Sequence, residues 1–133
     1  MPHLVILYTA NLDAQSDMKG LCRDLCDTML DQRDEVGEQV FPTAGTRVLA
    51  YPASHYAVAD GQGDYAFVYL NLRMTSGRSG SVKEQIGQAL LARTKAHFAA
   101  LFDQRHLGLT LQIDEGAESF NARHNNMYSL FAQ

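Results

Sequence analysis

The chain predicts an α/β (α+β) fold built from two tandem β-α-β units, which together make a four-stranded sheet with two helices on one face. Three observations lead there. Apolar runs of strand length alternate with stretches whose apolar residues recur every three or four positions. The order strand–helix–strand occurs twice. The two copies also keep a near-constant offset: His3 and Tyr65 open the first strands 62 positions apart, and Arg47 and Leu107 open the closing strands 60 apart. Such an offset is the signature of an internally repeated unit. Repeat one is placed at about 2–58, repeat two at about 64–118 and a carboxy-terminal tail at 119–133, all within a single domain.

The first strand is the apolar run His3 to Tyr8, followed by a polar loop from Thr9 to Ser16. The spacing of Met18, Leu21, Leu25, Met29 and Leu30 predicts a helix from about Asp17 to Gln32. A charged loop leads through Phe41-Pro42-Thr43-Ala44-Gly45 to a second strand near Thr46 to Tyr51. After a turn at Ala59-Asp60-Gly61-Gln62-Gly63, the run Tyr65 to Leu72 is the third strand and Met74 to Gly80 a loop. Ser81-Val82-Lys83-Glu84 has the spacing of a capping box. Val82, Ile86, Ala89, Leu90, Ala96 and Leu101 are expected to form the buried stripe of a long helix ending near Asp103. Leu107 to Ile113 is the last strand, and the aromatic tail from Phe120 to Phe131 is expected to pack on a neighbour or close an edge.

At 133 residues the chain can bury a sizeable core, and its 46% hydrophobic and 20% charged composition is that of a soluble globular protein. A net charge of −4 argues against nucleic acid as a partner. The apolar runs are too short for a membrane span, and the first residues lack the features of a secretory signal, so a cytoplasmic protein is expected. Cys22 and Cys26 lie four apart within the helical pattern and have no further ligands at metal-binding spacing. They read as buried free thiols.

The chemistry-bearing feature is Pro2, which precedes the first strand directly. Once Met1 is removed, Pro2 carries a free secondary amine at the mouth of a buried strand. An α-amino group titrates near 7.7–8.0, well below lysine, and both burial and neighbouring arginines lower it further. Pro2 is then a base usable at neutral pH. The plainer reading is that proline is well tolerated as a first strand residue. The matching position in the second repeat is Asp64, which is mid-chain and has no free amine, so this chemistry can occur once per chain.

With these residues in view, the sequence resembles the 5-carboxymethyl-2-hydroxymuconate isomerases of the tautomerase superfamily. The matching stretches are Met1-Pro2-His3-Leu4-Val5-Ile6, Phe41-Pro42-Thr43-Ala44-Gly45-Thr46-Arg47 and Ala59 through Val68. They continue with Gly77-Arg78-Ser79, His97-Phe98-Ala99-Ala100-Leu101, and Phe120-Asn121 with Asn125-Asn126. The resemblance implies a homotrimer that uses no metal and no organic cofactor. It implies Pro2 as acid/base on a 2-hydroxymuconate bearing several carboxylates, met in homoprotocatechuate breakdown. The family's arginine motifs fall on Arg47 and Arg78, and His3 beside Pro2 is a candidate for substrate binding. The chemistry asks for these types: guanidinium forks grip carboxylates bidentately, and a positive charge beside a 2-oxo group stabilises a developing enolate. The chain differs from the family in having Leu7 where a glutamate is common, and in a longer, more charged loop from Arg33 to Gln39.

The other candidates read as structural. His97 is expected to be packed on its helix, no role falls on His55, His106 or His124, and Asp60 and Asp64 belong to turns. Tyr8, Tyr65 and Tyr69 read as strand core. Two rival functions stand beside the isomerase: a tautomerase for a smaller 2-oxo acid, and a non-catalytic oligomeric binding protein with the same fold. The partner expected in the leading reading is a small polycarboxylate, with no nucleic acid and no membrane.

Overall fold

The computed structural model describes residues 2–116 and 118–131. Met1, and with it the question of its removal, lies outside the described residues, as do position 117 and the last two of the expected tail. The elements are β1 (His3–Thr9), α1 (Met18–Leu30), β2 (Arg47–Ala53), β3 (Ala66–Met74), α2 (Gly80–Phe102) and β4 (Leu107–Glu115). They form one sheet in the order β2-β1-β3-β4. β1 is parallel to β2 and β3 is parallel to β4, each pair joined through its helix, while β1 and β3 run antiparallel at the centre.

Strand alternation divides the sheet into a wet face and a dry face. Leu4, Ile6 and Tyr8 of β1 and Val68, Leu70 and Leu72 of β3 are buried against the helices. Each such aliphatic contributes about 1.5–3 kcal/mol of transfer free energy. α1 meets them with Met18, Leu21, Leu25 and Met29. α2 meets them with Val82, Ile86, Leu90, Thr94 and Phe98, a ladder at every fourth position. Ala96, expected in that stripe, is exposed, because it falls between Thr94 and Phe98 on the far side of the ladder. Thr94 is tolerated in the core because its Oγ1 donates to the Leu90 carbonyl at 2.7 Å.

Helix starts depart from expectation in one place. Asp17 caps α1 by accepting from the Gly20 amide at 2.9 Å. The cap of α2 is Ser79, whose Oγ accepts from the Val82 amide, and not Ser81 of the expected capping box. Ser79 has the extended backbone that an N-cap needs (φ −69°, ψ 161°), so the helix begins two residues earlier than the sequence spacing suggests. Cys22 and Cys26 are free and half-buried rather than fully buried, lying at the margin of the α1 stripe. Among the described residues, no helix is long and apolar enough to cross a membrane.

At the end of the sheet where β1 finishes, Arg105 and Asn11 tie the chain together. Asn11 donates to Asp64 Oδ1 at 3.0 Å and to the Tyr65 carbonyl at 2.8 Å, and Arg105 pairs with Asp64 at 3.3 Å. At the opposite end lies Pro2.

Candidate active site

The topology gathers three segments around Pro2. In the β1–β3 pairing His3 stands opposite Arg73, so one further step sets Pro2 against Met74 and the loop that follows it. In the β1–β2 pairing His3 stands opposite Arg47, so the stretch leading into β2 arrives beside Pro2 as well. The result is a cavity of about 230 Å³ lined by Pro2, Val40, Phe41, Pro42, Met74, Thr75, Arg78 and Arg123. Pro2 is buried. The lining around it combines apolar side chains with Thr75 and two arginines.

Local structure explains how Arg78 reaches this cavity. Gly77 adopts φ 119°, in the left-handed region open to glycine, and turns the loop so that Ser79 can cap α2. Arg78 is held between those two fixed points, and its Nη2 donates to the Val40 carbonyl at 2.8 Å. Val40 is itself fixed, its amide donating to the Gln32 carbonyl at 3.1 Å. The charged segment before it closes on itself through an antiparallel bridge between Arg33 and Gln39, with Asp34 Oδ1 accepting from the amides of Val36 and Glu38.

Arg47 takes another position. Alternation along β1 turns Pro2 toward the helices and His3 toward the open face, and Arg47 lies on the open face with His3. Its Nε and Nη2 lie 3.3 and 3.0 Å from His3 Nε2, and its Nη1 donates to the Gly45 carbonyl at 3.0 Å. Arginine can only donate, so His3 Nε2 accepts and the ring proton sits on Nδ1. Burial first, and the Arg47 guanidinium second, hold His3 below its usual pKa, in its neutral form. Arg47 lines a neighbouring cavity of about 280 Å³ with Asn121, Ala122, Arg123, His124 and Asn125.

The structure therefore brings Pro2 and Arg78 together and sets Arg47 and His3 together next door. Arg123, which the sequence reading did not single out, lines both cavities. The flanking Phe120-Asn121 and Asn125-Asn126 stretches drew attention to that segment, but not to Arg123 itself. The ion pairs among the described residues are Arg23–Asp27, Lys83–Glu115, Arg93–Asp24 and Arg105–Asp64. Arg47, Arg78 and Arg123 take part in none of them. In a chain of net charge −4, three guanidinium groups with no carboxylate partner among the described residues thus lie in the Pro2 cavity and the one beside it. No group of three or more metal-ligating side chains occurs among the described residues.

Pro2, buried where the chain enters a central strand, in a sheet of two β-α-β units, belongs to a protein of the tautomerase superfamily, whose fold this chain shares. A family model described as 5-carboxymethyl-2-hydroxymuconate isomerase matches residues 2–131. The chain is 34% identical over 131 residues to the 5-carboxymethyl-2-hydroxymuconate Delta-isomerase of Escherichia coli, covering 98% of this chain and 99% of that protein. A crystal structure of a 5-carboxymethyl-2-hydroxymuconate delta-isomerase superposes with a TM-score of 0.95 at 53% identity, covering 100% of this chain and 94% of the other. A 5-carboxymethyl-2-hydroxymuconate isomerase from Deinococcus radiodurans R1 superposes with a TM-score of 0.87 at 37% identity, covering 99% and 95%. The chain belongs to the 5-carboxymethyl-2-hydroxymuconate isomerase family and is an isomerase.

Proposed function

We propose that the protein isomerises 5-carboxymethyl-2-hydroxymuconate, or a close 2-hydroxy-dienoate, with Pro2 as the acid/base. The observation that carries this reading is the burial of Pro2 in a cavity shared with Arg78 and Arg123. With Met1 removed, the Pro2 amine takes the proton of the dienol hydroxyl. The electrons of the broken O–H bond close the 2-oxo group, the double bonds shift by one position, and Pro2 returns the proton to the carbon bearing the carboxymethyl arm. One O–H bond is lost and one C–H bond gained, so the step needs no oxidant, reductant or cofactor.

Arg78 and Arg47 are the carboxylate clamps of this reading, and neutral His3 orients Arg47 by accepting its N–H groups. The guanidinium charge also lowers the affinity of the Pro2 amine for its proton, so substrate anchoring and base activation share residues. We place the reaction in the homotrimer that the family resemblance implies, within the cytoplasm and in the breakdown of homoprotocatechuate. Support for assembly comes from the uncovered sheet face, where Leu7, Leu49 and Tyr51 are all more than 40% exposed. The amine of Pro2 has no counterpart in the second unit, since Asp64, mid-chain, stands where a second proline would be needed.

The test is an ultraviolet assay on 5-carboxymethyl-2-hydroxymuconate with tag-free protein whose mass shows Met1 gone. Pro2→Ala should lower kcat by about 100-fold or more, the span expected when a positioned acid/base is removed. A parent that is inactive with Met1 gone sinks the muconate assignment and leaves another 2-oxo acid or a binding role.

A further inference from the structure

We propose that Arg123 reads the third carboxylate of the substrate and so separates tricarboxylates from dicarboxylates. This deepens the reading above and rests on it: the Pro2 cavity is taken as the seat of the enol. Carboxymethyl-hydroxymuconate carries two carboxylates on its chain and a third on its side arm, and the third is what sets it apart from plain 2-hydroxymuconate.

Three observations single out Arg123. It is the residue that lines both the Pro2 cavity and the Arg47 cavity, so it stands where a branched substrate anchored in the first would extend an arm toward the second. Its donors are also uncommitted. Arg47 already gives its Nε and Nη2 to His3 and its Nη1 to Gly45, and Arg78 gives Nη2 to Val40. Arg123 makes no hydrogen bond and no ion pair among the described residues, which leaves its whole planar fork for a bidentate carboxylate. Finally, the segment is anchored and does not trail free. Asn125 donates to the Ala44 carbonyl at 3.4 Å and accepts from the Met127 amide at 2.6 Å. The turn Tyr128–Phe131 packs on the turn Thr43–Gly45 that leads into β2. Arg123 is thereby docked against the same stretch that delivers Arg47.

The experiment compares the parent with Arg123→Gln and Arg123→Lys on 5-carboxymethyl-2-hydroxymuconate and on 2-hydroxymuconate. Arg123→Gln should lose about 10- to 100-fold in kcat/KM on the tricarboxylate, carried mostly by KM, and under about three-fold on the dicarboxylate. Arg123→Lys keeps the charge but not the fork, and should fall between. Equal losses on both substrates, or no loss on either, overturn the proposal. Calorimetry with propane-1,2,3-tricarboxylate and glutarate, which differ only in the middle carboxylate, separates this idea from the muconate assignment. If the parent turns over neither muconate but prefers the tricarboxylate, and Arg123→Gln abolishes that preference, the assignment fails and the role of Arg123 stands. Absence of any preference in the parent overturns it.

Discussion

At the scale of single residues, two histidines are held neutral by the fold, and this has a consequence for acid stability. His3 is lowered from its usual pKa by burial and then by Arg47. His97 is lowered by burial, which outweighs the opposing attraction of Asp17 and Asp24. Its Nε2 lies 2.9 Å from Ser16 Oγ and its ring meets Phe98 edge-on at 4.8 Å. In the unfolded chain both rings take up a proton near 6.5, whereas the folded chain resists protonation until the pH is lower. Between those values the unfolded state binds more protons, so the stability contributed by the neutral rings is present above about pH 6.5 and is lost as the pH falls below it. The melting temperature should therefore drop between about pH 7.5 and about pH 5, and His97→Gln should shrink that drop. Differential scanning fluorimetry across this range decides it, and an unchanged drop in the variant would remove His97 from the account. The residue scale is also where the sequence was least legible. Pro2 and Arg78 stood out because their motifs are local, whereas Arg123 carries no motif. It acquires a place beside Pro2 only because the tail folds back onto the turn at Thr43–Gly45.

At the scale of elements, the strands and helices were legible because each carries its own period: two in β1, four along the buried ladder of α2. The helix start was misplaced for an instructive reason. Ser79 and Ser81 are both serines ahead of an apolar run, and spacing to Glu84 favours Ser81. The backbone decides otherwise, since the turn at Gly77 delivers Ser79, not Ser81, in extended conformation at the helix mouth. Ser79→Ala should cost about 1 kcal/mol in urea unfolding, as loss of an N-cap does, and Ser81→Ala should stay within about 0.5 kcal/mol of the parent. Because Arg78 is the residue immediately before the cap, Ser79→Ala should also raise KM on the muconate substrate. Equal costs for the two serines would mean that the helix frays to the later start in solution. The sheet order was only partly legible. The repeat predicts two parallel pairs, but nothing in either repeat specifies that β1 and β3 meet antiparallel, which is a property of how the two units dock.

At the scale of the whole molecule, the helices cover one side of the sheet and leave the other in water. On that open side the register sets Leu7 opposite Tyr51 on β2 and opposite Tyr69 on β3, with Leu49 beside Val5 on the next step. Leu7 is 46% exposed, Leu49 41%, Tyr51 50% and Phe67 41%, a contiguous apolar surface of the kind that marks an interface. Leu7 lies in the central strand β1 and Leu49 in the edge strand β2 of this face. A homotrimer closed through this face would bury Leu7 and Leu49, and bring Arg47 and His3, which lie on the same side, into the assembly. Leu49→Glu should therefore separate assembly from folding. The dry face with Leu4, Ile6 and Tyr8 is untouched, so the circular dichroism spectrum and a cooperative melt should persist. Sedimentation velocity should shift from a trimer to a monomer, because an unpaired carboxylate at a buried interface is strongly disfavoured. Activity should fall with the trimer if the clamp at Arg47 depends on a neighbouring subunit, and should survive in the monomer if one chain holds a complete site. A Leu49→Glu protein that still sediments as a trimer would move the interface away from the sheet face.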